Sequence, residues 1–155
     1  MGVSGSGKSA VGQRLADELG VPFLEGDSFH SAANIAKMAA GTPLTDADRH
    51  DWLLALQAEI RAARQAGHGL VLSCSALKRR YRDVLRAGDP ALKFAHLRGD
   101  QALISARMQG RVGHYMPVSL LDSQLAALEP LQADEAGIEL DIRNPPEQLI
   151  AQILQ

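Results

Sequence analysis

The sequence predicts an α/β fold, a parallel sheet covered on both faces by helices. Three observations carry this. Residues 2–9 read Gly-Val-Ser-Gly-Ser-Gly-Lys-Ser, the G-x-x-x-x-G-K-S spacing of a phosphate-cradling loop that opens a helix. Short apolar runs such as Val21-Pro22-Phe23-Leu24 and Leu70-Val71-Leu72 have the length and composition of buried parallel strands. Between them lie segments whose apolar residues recur every three or four positions, as in βαβ units.

The elements follow in order. Val11, Leu15 and Leu19 give one helical face after the loop, and Gly20 stands where a C-cap glycine is expected. Residues 21–24 form a strand that runs out into Glu25-Gly26-Asp27, at the sheet end that faces ligands in open α/β folds. A small-residue helix covers 32–40 and is closed by Gly41. Thr45-x-x-Asp48 reads as a capping box before a long helix with Trp52, Leu53, Leu56, Ile60 and Ala63 on one face, ended by Gly67. Residues 69–74 are the next buried strand, and Ser75 is expected to cap a basic helix holding Lys78, Arg79, Arg80, Arg82 and Arg86. Residues 93–97 form another strand. Asp100 caps a helix with Leu103, Ile104 and Met108, which runs into a basic, Gly-containing stretch suited to a mobile lid at about 107–118. Val118, Leu121, Leu125 and Leu128 form a further helical face. Residues 138–142 are the last strand, and Pro145-Pro146 opens the terminal helix.

Composition narrows the function classes. The 155 residues make one domain, with 46% hydrophobic and 22% charged residues, large enough for a real core. A net charge of −2 argues against bulk electrostatic binding to nucleic acid or anionic membrane. The lone Cys74 rules out an intrachain disulfide and a cysteine metal cluster, and fits a reducing compartment. No apolar run approaches the roughly 20 residues of a membrane span, and the first residues lack a signal-peptide pattern. A cytoplasmic protein with neither membrane nor nucleic-acid partners is expected.

The loop itself predicts nucleoside triphosphate binding. Gly2, Gly5 and Gly7 permit backbone turns closed to other residues, so that the N–H groups of Gly2, Val3, Ser4, Gly5, Ser6, Gly7, Lys8 and Ser9 can form an anion nest. Lys8 supplies a mobile charge for the β- and γ-phosphates. The Ser9 hydroxyl is placed to hold Mg²⁺ with nucleotide oxygens and water. The five histidines lack zinc-site spacing.

The segments GVSGSGKSAV, LEGDSFH, NIAKMAAGTPLTDADRHDWL, CSALKRRYRDVLR, LRGD, GHYMPVSLLDSQ and ALEPLQADE resemble, in order and spacing, the gluconokinase family. That family transfers the γ-phosphate of ATP to gluconate, giving 6-phosphogluconate. The resemblance spans nearly the whole chain and implies a three-layer αβα P-loop kinase fold of the nucleoside-monophosphate-kinase-like group. It also implies a five-stranded parallel sheet, ATP and Mg²⁺ as cofactors, a mobile lid and a homodimer. Ser31 and Asp51 stand where the family usually has proline. Both are turn or helix-start positions, so local backbone changes are expected there and the chemistry is expected to remain.

Phosphoryl transfer needs positioning and charge neutralisation more than covalent chemistry. Asp27 matches the family position that accepts the hydroxyl proton or binds the sugar acid. Arg49, Lys78 and Arg82 match family positions near the substrate, and Lys78 and Arg82 would share a helical face. His30, three residues after Asp27, can bond substrate hydroxyls or serve structurally. Glu25 is either functional or a turn carboxylate. Arg107 and Arg111 lie one helical turn apart, and either can reach the transferring phosphoryl, with Arg111 the first choice as an arginine finger supplied in cis. His114 in the lid and Gln124 on the following helix are further substrate contacts. Cys74 reads as a small core residue, and Trp52 as core or subunit contact.

The family carries an apolar strand leading into the loop, whereas only Met1 precedes Gly2 here. In this fold group that strand lies centrally, between the strands at 70–74 and 93–97. The first central strand is therefore expected to lie in upstream residues outside this chain. Strands 70–74 and 93–97 should then stand about 10 Å apart, two strand spacings, and not pair directly. Two other functions fit the loop: a kinase for another small acceptor, such as shikimate or a nucleoside monophosphate, and a truncated nucleotide-binding module without turnover.

Overall fold

Glycine and side-chain caps mark several of the helix ends. The computed structural model describes residues 1–109 and 119–155. Helix α1 (Lys8–Leu19) follows Gly7 in the left-handed region at φ 94°, and Gly20 closes it at φ 67°. Helix α2 (Ala32–Ala39) is capped by the Ser31 hydroxyl, which accepts from the Asn34 N–H at 3.1 Å. Serine at this position thus contributes an N-cap that proline cannot. In α3 (Asp46–Ala66) the expected capping box is complete: Thr45 Oγ1 accepts from the Asp48 N–H at 3.0 Å, and the Asp48 carboxylate accepts from the Thr45 N–H at 2.9 Å. Asp51 lies within α3 and is exposed.

Strands β1 (Phe23–Glu25) and β2 (Val71–Ser73) pair in parallel, with Phe23 opposite Val71 and Glu25 opposite Ser73. Strands β3 (Phe94–Arg98) and β4 (Gly137–Asp141) form a second parallel pair, with His96 opposite Glu139. A 3₁₀ turn (Gly26–Phe29) follows β1. The remaining helices are α4 (Arg79–Arg86), α5 (Gln101–Gln109), α6 (Ser119–Ala127) and α7 (Pro146–Leu154). Four strands in two pairs, among the described residues, stand where the family resemblance implies five in one sheet. β2 and β3 do not pair with each other.

Among the described residues the core divides into a small apolar cluster of Met38, Leu44 and Leu120 and two large ones. One joins Val11 of α1, Ile104 of α5, Leu121 of α6 and Leu149 of α7 to Leu97 and Leu140. The other joins Trp52, Leu56 and Ile60 of α3 and Tyr81 and Leu85 of α4 to Phe94. Helices therefore cover both sides of the strands, the three-layer αβα arrangement.

Two expectations for the basic helix need correcting. Its N-cap is Lys78, not Ser75, because the chain leaves β2 through a turn with Ala76 at φ 46° and Leu77 buried. Lys78 consequently shares no helical face with Arg82. Arg82 itself is fully buried. Its Nε and one terminal nitrogen donate to Glu135 at 2.7 and 3.0 Å, and its other donors meet the carbonyls of Ala76, Leu77 and Pro130. A buried guanidinium is tolerable only when paired and saturated in this way. Arg86 adds a second contact to Glu135 at 3.0 Å.

Burial alone would raise the Glu135 pKa, but hydrogen bonds from Arg82, the Gln132 N–H and Arg86 outweigh it and hold it at about 2. The resulting stabilisation is complete above the ordinary value of 4.5 and is lost as pH falls through about 2. Urea midpoints should therefore drop across that acid range. Glu135→Gln, which leaves Arg82 buried without its counter-charge, should cost about 3–5 kcal/mol at neutral pH. An unchanged urea midpoint in the variant would contradict this role.

Candidate active site

The site is built where α1 begins and β1 and β2 end. Gly7 carries α1 into its first turn without a side-chain cap, the kind of helix start that receives anions. The loop is braced from inside by the Ser6 N–H to the Val3 carbonyl at 3.3 Å and by Lys8 Nζ to the same carbonyl at 3.1 Å. From α6, Gln124 Oε1 accepts from the Ser4 N–H at 2.7 Å, and its amide nitrogen lies 3.2 Å from Ser4 Oγ. Gln124, expected as a substrate contact, therefore holds the phosphate loop. Arg107, expected on the nucleotide, donates to the Ile142 carbonyl at 2.8 Å.

Glu25 joins this loop to the strand ends. Its two carboxylate oxygens accept from the hydroxyls of Ser9 and Ser73. Ser73 Oγ lies 3.4 Å from the Gly26 N–H. Gly26 packs so closely that a Cβ there would stand 2.2 Å from the Ser73 carbonyl oxygen, which excludes every larger residue. Trp52 Nε1 donates to the Gly26 carbonyl at 2.8 Å. The 3₁₀ turn that presents Asp27 is thus held on both sides, and Asp27 itself is exposed.

Beyond the turn, the His30 ring stacks on Trp52 with centroids 4.1 Å apart. His30 Nδ1 lies 3.3 Å from the Asn34 amide nitrogen, which also donates to the Asp48 carbonyl at 2.8 Å. Burial pushes the His30 pKa below its usual 6.5; Asp27 opposes the shift and Arg49 adds to it. Arg49 donates to the Tyr81 hydroxyl at 2.9 Å and lies over the same ring. Tyr81 and Lys78 both donate to Asp46, Lys78 at 3.2 Å, and Arg80 reaches its other oxygen at 2.9 Å. Hydrogen bonds from Tyr81 and then Lys78 lower the Asp46 pKa.

Of the residues expected on the acceptor side, the structure brings together Asp27, His30, Arg49 and Lys78. Arg111 and His114 lie outside the described residues. Sequence reasoning missed Asp46, Tyr81, Asn34 and Ser73. Asp46 carried a signal, an acidic residue in the first turn of a helix, and that signal reads as a dipole effect, not as an anchor for cations from α4. Trp52 is buried core as expected, but it also supports the acceptor turn.

The nucleotide and Mg²⁺ that such a loop serves can be tested against these groups. An uncapped helix start offers N–H donors to phosphate, and the Ser9 hydroxyl beside the Glu25 carboxylate is a hard-oxygen pair suited to Mg²⁺. The residues fit. No cluster of three or more His, Cys, Asp or Glu residues able to hold a metal occurs among the described residues.

An uncapped phosphate loop joined by a carboxylate to an acceptor turn, on an αβα frame, defines a P-loop kinase. The family comparisons agree. A family model described as an AAA domain matches residues 1–131. The gluconokinase of Gluconobacter oxydans is 46% identical over the whole chain, which covers 87% of it. A solved sugar kinase from Janibacter sp. HTCC2649 is 55% identical with a TM-score of 0.96, over 99% of this chain and 89% of that one. A solved gluconokinase from Sinorhizobium meliloti is 44% identical with a TM-score of 0.89, over 99% of this chain and 86% of that one. The chain belongs to the gluconokinase family.

The opposed effects of Asp27 and Arg49 on His30 give a direct check of the acceptor geometry. In an NMR titration of the His30 ring, Asp27→Asn should lower its pKa further, and Arg49→Met should raise it toward 6.5. Unaltered titration in both variants would place the three groups apart.

Proposed function

We propose that this chain phosphorylates D-gluconate to 6-phospho-D-gluconate with ATP and Mg²⁺. The observation that carries the reading is the Glu25 bridge, which couples the phosphate loop through Ser9 to the turn bearing Asp27. Residues 2–9 cradle the triphosphate with backbone N–H groups, and Lys8 follows the β- and γ-phosphates. Ser9 would hold Mg²⁺, which would supply neutralisation of the phosphate charge. Asp27 orients the gluconate 6-hydroxyl and takes its proton as the new O–P bond forms and the bond to the ADP oxygen breaks. Arg49 and Lys78 balance the gluconate carboxylate, and His30, neutral at pH 7 by its lowered pKa, bonds sugar hydroxyls. Arg111 serves as the phosphoryl-stabilising arginine, Arg107 as a nucleotide contact, His114 contacts the acceptor from a lid at about 107–118, and Gln124 assists through Ser4.

A cytoplasmic homodimer without membrane or nucleic-acid partners completes the proposal. The modest net charge of −2 supports the lack of nucleic-acid and anionic-membrane partners. Among the described residues, no helix is long and apolar enough to cross a membrane.

ADP release should be followed with gluconate, shikimate and a nucleoside monophosphate as acceptors. Gluconate is expected to be turned over, and inert gluconate beside turnover of another acceptor would refute the assignment. Lys8→Ala should lower kcat by about 10²-fold or more, by the scale of losing one transition-state charge contact. Arg49→Ala should chiefly raise the KM for gluconate.

A further inference from the structure

The His30 ring is held in two ways that together decide what it can offer a ligand. Trp52 sets its plane: the two rings stack at 16° to each other. Trp52 is itself fixed, 3% exposed and with its Nε1–H on the Gly26 carbonyl. Asn34 sets the rotation of the ring within that plane. Its side chain lies on α2, and the residue is only 6% exposed, so its polar atoms need partners.

The Asn34 amide nitrogen faces two groups, the Asp48 carbonyl at 2.8 Å and His30 Nδ1 at 3.3 Å. A backbone carbonyl only accepts, so the atom facing it is the amide nitrogen and not the amide oxygen. His30 Nδ1 then meets the second N–H of the same group and must accept. A ring nitrogen that accepts carries no proton, so in the neutral ring the proton sits on Nε2. The Asp48 carbonyl is a firm reference for this. Asp48 closes the capping box of α3, and both its carboxylate oxygens accept from Lys37, at 3.0 and 2.9 Å. Lys37 and Asn34 thus grip Asp48 from the same helix, α2. With one ring face on Trp52 and Nδ1 on Asn34, Nε2 makes no hydrogen bond to the described residues.

We propose that Asn34 is a positioning residue that fixes His30 as the Nε2–H tautomer, so that the ring gives the phosphate acceptor one hydrogen-bond donor and no base. His30 donates to an oxygen of the acceptor, hydroxyl or carboxylate, and cannot take a proton from it. Proton removal is left to Asp27. An ammonium group in place of that oxygen would meet an N–H and be disfavoured, which suits the site to an all-oxygen acceptor such as a polyhydroxy acid. The donor role rests on the acceptor reading given above; the tautomer rests on the Asn34 geometry alone.

The test reads the tautomer first. At a pH well above 6.5, long-range ¹⁵N–¹H correlation tells the protonated ring nitrogen from the bare one. The unliganded protein should show the Nε2–H form of His30 alone, without the minor Nδ1–H form of a free imidazole. Asn34→Asp replaces the donor by an acceptor of the same shape and should move the proton to Nδ1. An Nδ1–H ring in the unaltered protein would overturn the proposal, as would a folded Asn34→Asp variant that leaves the proton on Nε2. Should that variant fail to fold, Asn34→Leu takes its place in a kinetic cycle. It should raise the KM for gluconate about three- to tenfold, the scale of one neutral hydrogen bond, with a smaller change in kcat. In a His30→Ala background it should change KM no further. An equal rise in both backgrounds would make Asn34 a support of the fold alone and overturn the proposal. Gluconate left inert beside the expected tautomer would refute the acceptor reading and leave the positioning of the ring standing.

Discussion

The site depends first on the Glu25 carboxylate. It ends β1, accepts from Ser9 at the start of α1 and accepts from Ser73 at the end of β2. Three elements that carry different parts of the chemistry are held at one point by two short-range bonds. A carboxylate suits this place because it accepts from several donors at once and brings negative charge to the position a cation would take. Gly26 follows because the Ser73 carbonyl leaves no space for a side chain. The acceptor turn inherits its position from that packing.

The basic residues around the acceptor side are divided among carboxylates with distinct tasks. Arg82 and Arg86 turn inward to Glu135 and act as structure. Arg79 is spent on Asp83 and Asp134, and both bonds raise its pKa. Lys78 and Arg80 share Asp46 at the start of α3, with Tyr81 between Asp46 and Arg49. Lys78, Arg80 and Asp46 form a preformed ion cluster there. The cluster also fixes α4 against α3 at the mouth of the site.

The phosphate loop draws its support from several directions. Met1 is hydrogen-bonded into β3, Gly2 to the end of β2, and Ser4 to Gln124 on α6. The loop is thus tied to both strand pairs although those pairs do not touch each other through hydrogen bonds.

Much of this was legible in the residues. The phosphate loop, the α/β alternation, the Thr45–Asp48 capping box, Gly20 and Gly67 as helix ends and the inward face of α3 are set by local chemistry: backbone caps, conformations open to glycine and helical periodicity. Asp27, His30, Arg49 and Lys78, proposed for the acceptor side, were read from a family pattern that preserves order and spacing. Tertiary structure decided the rest. Whether Arg82 meets a substrate or a buried Glu135 depends on a residue 53 positions away. The start of α4 depends on burying Leu77, which no cap signal at Ser75 reveals. The Glu25 bridge arises from packing distant segments together. Local chemistry fixed the elements and the phosphate loop, and only the assembled layers determined which charges became structure and which remained for chemistry, since burial and pairing are properties of neighbours in space.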